Sequence, residues 1–133
     1  MEIKRDLYLQ KLINRMHNGM IKVITGIRRS GKSYLLFNIF RNYLKTQGVA
    51  DDHIIAIELD IYENKKYRDP HTLLEYTKSR MKDDKDYYIF LDEVQLLPDF
   101  VSVLNSFLHM QNVDVYVTGS NSKFLSKDVI TEF

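Results

Sequence analysis

One run of eight residues constrains the fold of this chain more than any other feature of its sequence. Residues 26–33 read Gly-Ile-Arg-Arg-Ser-Gly-Lys-Ser and fit the pattern G-x-x-x-x-G-K-[ST]. The apolar run from Met20 to Thr25 comes directly before it and predicts a buried strand. Apolar residues at helical spacing follow and predict a helix from Lys32 to about Gln47. This order of strand, glycine loop and helix predicts a phosphate-binding loop.

The chemistry of such a loop follows from its backbone and from two side chains. Glycines let successive backbone N–H groups point inward, where they surround phosphate oxygens, and the positive end of the next helix adds to the attraction. We expect Lys32 to reach the β- and γ-phosphates of a nucleotide and the Ser33 hydroxyl to bind Mg²⁺. For Arg28 and Arg29 two roles stay open, one facing solvent or a partner and the other contacting phosphate.

The rest of the chain alternates strands with helices. Three further apolar runs predict strands at residues 54–57, 87–91 and 113–118. Helices are predicted after Asp6, after Pro70 and after Pro98, and a last one from about Ser122 that is still running at Phe133. This alternation predicts a parallel sheet with helices on both faces, and ligands of such sheets bind at the carboxyl ends of the strands.

Two acidic residues end the third predicted strand. Its apolar residues run directly into Asp92 and Glu93. A carboxylate at this point can hold the hydration shell of Mg²⁺, a role we give to Asp92, and Glu93 can orient the attacking water or accept its proton. Strands often end in acidic residues, but this one lies a helix and a strand beyond the loop, which favours a functional role.

Small polar residues end the fourth predicted strand. Thr118 leads into Gly119, Ser120 and Asn121. A polar side chain here is expected beside the γ-phosphate, where it can hydrogen-bond to the phosphate or to the water. Asn121 is the first candidate for this role and Ser120 the second. The alternative for either residue is an ordinary turn that caps the next helix.

The segments GIRRSGKS, FLDEVQ and VTGSNSKFLS together resemble the AAA-type P-loop ATPases of bacteria and archaea. The likeness covers nearly the whole chain. More narrowly, it resembles prokaryotic "AAA domain" ATPases that continue into winged-helix-like and nuclease-like C-terminal regions. The opening IKRDLYLQKL also resembles that family, so we expect Lys4 to Tyr8 to hold the adenine by apolar packing and backbone groups, with modest discrimination against GTP.

The resemblance implies ATP and Mg²⁺ as ligands and gives each motif a role. The residues expected to bind the nucleotide are Gly26, Ile27, Arg28, Arg29, Ser30, Gly31, Lys32, Ser33 and Tyr34. The metal ligands would be Ser33 and the Walker B residue Asp92, and sensor 1 would be Asn121 or Ser120. The implied catalytic residues are Glu93, Lys32 and Asn121.

The chain departs from this family towards its C-terminal end. Such ATPases carry an arginine finger, a fifth strand and a helical lid after the sensor strand, but this sequence has no arginine after Arg80. We therefore expect one three-layer α/β/α P-loop NTPase domain over residues 1–133, truncated before strand 5 and the lid, with four parallel strands in the order 1-4-3-2. Such a fragment would bind ATP and hydrolyse it very slowly. Its loop strand would have an exposed edge through which it self-associates.

Composition narrows the class of protein further. With 44% hydrophobic and 28% charged residues, the chain is expected to fold. It has no cysteine, which excludes disulfides and thiolate zinc sites, and its four histidines lack metal-ligand spacing. The net charge of +1 gives no general attraction for nucleic acid, so a DNA partner and a protein partner both stay open. Without a signal peptide or a membrane-spanning run, a cytoplasmic protein is expected.

Three other functions compete with ATP hydrolysis. A nucleotide-binding switch or partner-docking module would bind nucleotide without significant turnover. A GTPase would need an Asn-Lys-x-Asp motif, and residues 64–67 lack its aspartate. P-loop kinases usually lack a glutamate directly after the strand-end aspartate, so Glu93 favours hydrolysis over phosphate transfer to a substrate hydroxyl.

Overall fold

A parallel sheet of five strands forms the centre of the domain. The computed structural model describes residues 2–26, 31–119 and 129–132. The strands are Lys22–Thr25 (β1), Ile54–Glu58 (β2), Tyr87–Asp92 (β3), Val113–Gly119 (β4) and Val129–Glu132 (β5). They lie in the order β2-β3-β4-β1-β5, and all neighbours run parallel. The first four strands confirm the predicted order 1-4-3-2.

Helices connect the strands, as parallel pairing requires. They are α1 (Glu2–Asn14), α2 (Lys32–Tyr34), a π-helical segment (Leu35–Phe40), α3 (Arg41–Thr46), α4 (Pro70–Arg80) and α5 (Phe100–Leu108). The segments from α2 to α3 form one continuous helical stretch over residues 32–46, here called the loop helix. Short 3₁₀ helices occupy Asp51–His53, Tyr62–Arg68 and Val94–Leu96. None of the helices in the described ranges is long and apolar enough to cross a membrane.

The start of α4 illustrates how local sequence sets these boundaries. Asp69 precedes the helix with an extended backbone, and its carboxylate accepts hydrogen bonds from the backbone N–H of Thr72 at 2.9 Å and from the Thr72 hydroxyl at 2.8 Å. Pro70 follows in the first turn, where its missing N–H costs nothing. The predicted helix start at this position is therefore confirmed.

Alternate residues of each strand pack on opposite faces of the sheet. On one face, Leu91 belongs to a core with Leu73 of α4 and Phe107 of α5. On the other face, Phe90 belongs to a core with Phe40 of the loop helix, their ring centroids lying 5.8 Å apart. Helices therefore cover both faces, which confirms the three-layer α/β/α architecture.

The fifth strand corrects the expectation of a four-stranded, truncated sheet. β5 pairs in parallel with β1, with Val23 opposite Val129 and Thr25 opposite Glu132. Because β4 pairs with the other side of β1, the loop strand has neighbours on both sides. The predicted exposed edge at residues 20–25 is therefore wrong. Self-association stays a prediction, without this edge as its basis.

The predicted last helix is also wrong where the structure describes it. The helix was expected to run from Ser122 through Phe133, but Val129–Glu132 forms β5. Three of its four residues are β-branched, and such side chains favour extended backbone over helix. The sensor candidates Ser120 and Asn121 lie outside the described residues.

A buried polar network ties β1 to β4 at the amino ends of these strands. Lys22 and Asp114 form an ion pair there, and both side chains are buried. Asp114 Oδ2 also accepts hydrogen bonds from the Tyr116 hydroxyl at 2.7 Å and from the His17 backbone N–H at 3.0 Å. Burial lowers the pKa of Lys22, and the carboxylate beside it opposes that shift. The turn after α1 is thus fixed to the sheet, at the end away from the glycine loop.

Candidate functional site

The glycine loop lies between β1 and the loop helix. Gly26 directly follows β1, and Gly31 caps the helix with φ 97° and ψ 4°, a left-handed conformation that favours glycine. The motif's second glycine is therefore required by the backbone. Ile27, Arg28, Arg29 and Ser30, which the sequence predicts to bind nucleotide, lie outside the described residues.

The first two residues of the loop helix meet the end of β3. The Ser33 hydroxyl donates a hydrogen bond to Asp92 Oδ1 at 2.6 Å. The Nζ atom of Lys32 lies 3.1 Å from Oε2 of Glu93. Residues 59 positions apart are thus in direct contact at the carboxyl end of the sheet. The structure thus brings together four of the predicted site residues, Lys32, Ser33, Asp92 and Glu93.

The Lys32–Glu93 pair is almost fully buried. Lys32 is 2% exposed and Glu93 is 8% exposed. The second carboxylate oxygen of Glu93, Oε1, accepts a hydrogen bond from Gln95 Nε2 at 2.8 Å. Both oxygens of Glu93 are therefore engaged, one by a cation and the other by an amide.

The backbone of Glu93 is also unusual. It adopts φ 55° and ψ 53°, a left-handed conformation that is uncommon for residues other than glycine. Its N–H donates to the Thr118 hydroxyl oxygen at 2.9 Å, and its carbonyl accepts from the Leu96 N–H at 3.0 Å. These bonds hold the chain in a sharp turn at the point where it leaves β3.

Strand register explains why Thr118 reaches this turn. Leu91 of β3 pairs with Val117 of β4, so Asp92 and Thr118 each lie one residue further along. The Thr118 hydroxyl donates to Asp92 Oδ1, the same oxygen that Ser33 contacts. Thr118 was not predicted as a site residue, because threonine is common in strands and nothing in the sequence sets it apart.

Three carboxylates gather at the ends of β2 and β3. One oxygen each of Glu58, Asp60 and Asp92 lies within 4.8 Å of the others. Burial raises the pKa of Asp92, and the nearby Glu93 and Asp60 charges act in the same direction, whereas the hydrogen bonds from Ser33 and Thr118 lower it. Burial is also the main cause of the raised pKa of Glu58. Glu58 was not predicted as a site residue. It lies opposite Asp92 because of the register between β2 and β3, which the sequence does not reveal.

The donor atoms at this end of the sheet suit a hard divalent cation. They comprise carboxylate oxygens and the hydroxyl of Ser33, and Mg²⁺ and Ca²⁺ prefer oxygen ligands. A cation would also relieve the mutual repulsion of the crowded carboxylates. The residues present therefore fit the Mg²⁺ that the sequence predicts.

Tyr34 follows Ser33 in the loop helix, and its side chain is 50% exposed to solvent. Together with Leu9 of α1 and Asn38 it lines a groove of about 570 Å³ between the two helices. The predicted adenine segment, Lys4 to Tyr8, belongs to α1, directly before Leu9. Adenine binding by this segment stays a prediction.

Comparison with protein families gives a match over most of the chain. The family model described as "AAA domain" matches residues 18–133. Two curated relatives, both described as uncharacterized, are similar in sequence. One from Haemophilus influenzae is 34% identical over 130 residues, and one from Methanocaldococcus jannaschii is 33% identical over 136 residues. Each alignment covers 97% of this chain, but only 32% and 26% of the respective relative.

Solved structures share the fold at low sequence identity. A chain of Drosophila ORC bound to DNA has a TM-score of 0.59 and 10% identity, over 90% of this chain and 78% of that one. Caenorhabditis elegans PCH-2 has a TM-score of 0.57 and 14% identity, over 93% of this chain and 36% of that one. At these identities, the similarity is one of fold.

Proposed function

Because this chain belongs to the AAA domain family, we propose that it binds ATP and hydrolyses it with the help of Mg²⁺. One observation carries the proposal: Lys32 and Ser33, at the start of the loop helix, contact Glu93 and Asp92, at the end of β3. A cation, a hydroxyl and two carboxylates meet where a glycine loop opens a helix. ATP hydrolysis can use this combination, because it depends on charge neutralisation and on a positioned water.

Lys32 and the loop bind the phosphates in this proposal. Backbone N–H groups of the glycine loop surround the phosphate oxygens, and the Lys32 ammonium contacts the β- and γ-phosphates. Because Lys32 is already paired with Glu93, a phosphate that binds there competes with a carboxylate for the same cation. The phosphates carry the greater charge, so we expect Lys32 to move from Glu93 to the nucleotide.

Ser33 and Asp92 would hold the metal ion. A Mg²⁺ ion held there would neutralise the charge that develops on the phosphates during transfer. The Ser33 hydroxyl would be a direct ligand, and the Asp92 carboxylate would accept hydrogen bonds from the ion's water ligands. In the structure the two side chains bond to each other at 2.6 Å, so the same two groups are already held at one place.

Glu93 would position the attacking water. Its carboxylate is held by Lys32 on one oxygen and by Gln95 on the other. Once Lys32 turns to the phosphates, Oε2 can accept a proton from water while Gln95 still orients the group. Nucleotide binding and activation of the base are then linked through one ion pair.

Isotope labelling tests hydrolysis directly. The full-length protein is incubated with ATP and Mg²⁺ in H₂¹⁸O, and the released phosphate is analysed by mass spectrometry, while calorimetry measures ATP and GTP binding with Mg²⁺ and with EDTA. We expect ATP binding that Mg²⁺ strengthens, and one ¹⁸O atom in each phosphate. ATP binding without labelled phosphate would instead support the nucleotide-binding switch, and transfer of unlabelled phosphate to an acceptor would support a kinase.

A further inference from the structure

We propose that Thr118 is a positioning residue that sets the geometry of Asp92 and Glu93 together through its single hydroxyl group. This inference rests on the proposed function, because it assigns a role within the same site. Thr118 lies on β4, whereas both acidic residues belong to β3 and the turn that follows it. The role is not one of direct contact with substrate, and nothing in the sequence pattern assigns it.

The hydroxyl of Thr118 acts both as a hydrogen-bond donor and as an acceptor. It donates its hydrogen to Asp92 Oδ1, and its oxygen accepts the backbone N–H of Glu93 at 2.9 Å. A hydroxyl carries only one hydrogen, so donation to Asp92 fixes the direction in which the O–H bond points. The lone pairs of the oxygen then remain available to accept the N–H of Glu93. Thr118 is 0% exposed, so water does not compete for either bond.

For Asp92, the consequence is a fixed carboxylate. Two hydroxyls, those of Ser33 and Thr118, donate to the same oxygen Oδ1 from different elements. Hydrogen bonds orient a carboxylate at a metal site, and their loss typically costs about 10- to 100-fold in metal affinity or activity. When Ser33 turns to the metal ion, Thr118 is the hydroxyl that still holds Asp92 in place.

For Glu93, the consequence is a backbone held in an uncommon conformation. A left-handed glutamate is disfavoured, and it persists where surrounding bonds over-determine it. The Thr118 oxygen is the acceptor for its buried N–H. Without this acceptor, the turn loses a bond that aims the glutamate side chain at Lys32.

Thr77 provides a matched control elsewhere in the chain. It is also a threonine with 0% exposure, and its hydroxyl donates to the Leu73 carbonyl at 2.8 Å inside α4. Replacing either threonine by valine keeps the shape and removes one buried hydroxyl. Of these two threonines, Thr118 is the one that contacts Asp92 and Glu93. An effect on the site that appears in Thr118→Val and not in Thr77→Val therefore reports positioning of the acidic residues and not the general loss of a buried hydroxyl.

The test compares Thr118→Val, Thr118→Ser, Thr118→Cys and Thr77→Val in the full-length protein. Hydrogen exchange reports the Glu93 amide, calorimetry reports how much Mg²⁺ strengthens ATP binding, and steady-state kinetics separates kcat from KM. For Thr118→Val we expect at least about tenfold faster exchange at Glu93. We also expect a loss of about 10- to 100-fold in the Mg²⁺ effect and in kcat, with little change in KM.

The other variants are expected to rank by the hydrogen bonds they keep. Thr118→Ser retains the hydroxyl and stays within about threefold of the unmodified protein, and Thr118→Cys, with a weaker donor, falls between serine and valine. Thr77→Val changes stability and none of the three site measurements. If Thr118→Val does not fold, the cysteine variant decides the question.

Two results would overturn the role of Thr118. The first is that the valine and cysteine variants of Thr118 leave the Mg²⁺ effect on ATP binding, kcat and amide exchange at Glu93 unchanged. The second is that Thr118→Ser or Thr77→Val changes these three quantities as much as Thr118→Val does. Both leave the proposed ATPase intact, provided the unmodified protein releases labelled phosphate. If the unmodified protein binds ATP and does not hydrolyse it, the proposal of ATP hydrolysis is refuted. The role of Thr118 is still tested in that case by amide exchange at Glu93 and by the Mg²⁺ effect on ATP binding.

Discussion

Lys32 and Glu93 form an ion pair whose charged atoms lie 3.1 Å apart and are almost hidden from solvent. The two residues come from different motifs, one from the glycine loop and one from the end of β3. Removing one partner of a buried pair leaves the other charge without compensation, which is costly. Removing either partner should therefore destabilise the fold, and in our proposal the contact also controls access to the phosphate-binding cation.

The first prediction concerns Lys32. In Lys32→Ala, ATP loses its main side-chain cation, so calorimetry should show binding weakened by more than tenfold, about 1.4 kcal/mol or more. The control is Lys45→Ala in α3, because Lys45 is a half-exposed lysine that pairs with Asp51 at 3.4 Å. Its removal should leave ATP affinity unchanged. Equal affinity in the Lys32 variant would refute phosphate binding by this lysine.

The second prediction concerns Glu93. A group that orients water acts in the transition state, so Glu93→Gln should bind ATP at least as tightly as the unmodified protein while kcat falls by about 10²- to 10⁴-fold. Binding does not weaken, since the phosphates no longer compete with a carboxylate for Lys32. Phosphate release and calorimetry measure the two effects. The matched control is Glu75→Gln on the exposed side of α4, and an equal kcat in both variants would make Glu93 a bystander.

The third prediction contrasts two buried aspartates at opposite ends of the sheet. Asp92→Asn should reduce the effect of Mg²⁺ on ATP binding by about tenfold or more, because a carboxylate that holds the ion's water is lost. Asp114→Asn should leave that effect unchanged and instead destabilise the fold by about 3 kcal/mol, since Lys22 stays buried without its counterion. Calorimetry and urea unfolding separate the two. The reverse pattern would contradict both assignments.

The fourth prediction concerns alkaline pH. Burial raises the pKa of Tyr88 to about 12 and that of Tyr116 further, with the Asp114 charge adding to both shifts. The unfolded chain loses these protons near pH 10 and the folded chain keeps them, so their contribution to stability is complete below pH 10 and declines above it. Lys22 acts oppositely, because burial lowers its pKa, but its contribution stops changing above about pH 10.5.

Urea unfolding between pH 10.5 and 11.5 measures this decline. Each of the two tyrosines contributes a loss of roughly 1 kcal/mol per pH unit in that window, because the proton difference between the unfolded and folded chains is a little less than one. Tyr116→Phe removes one of them and should therefore make the decline clearly shallower than in the unmodified protein. A variant with the same slope would show that the Tyr116 proton is not retained on folding.

The sequence predicts much of the fold, because its signals are local and consistent. Apolar runs, the Asp69 cap and the alternation of strands with helices lead to the parallel order 1-4-3-2, which the structure confirms. The fifth strand was missed for a local reason as well. The strand Val129–Glu132 is only four residues long. A run this short gives a weak strand signal, and a helix had been predicted from about Ser122 onwards.

The site shows a different limit. The glycine loop and the pair Asp92 and Glu93 stand out in the sequence because their residue types are unusual at the ends of strands. Thr118 does not, because its role comes from the register between β3 and β4, which only the fold determines. Lys22 was hidden in the same way, since a lysine within an apolar run gives no sign that an aspartate 92 positions away will pair with it.

The burial of the Lys32–Glu93 contact also sets how the domain responds to ionic strength. Salt at about 0.1 M screens charges that face solvent over roughly 10 Å, so it weakens exposed pairs such as Arg41 with Asp51, at 3.4 Å. Ions in bulk solution do not reach Lys32, which is 2% exposed. Added salt should therefore leave this contact closed, so that in our proposal the phosphates of the nucleotide, and not ions from bulk solution, take the lysine from its glutamate.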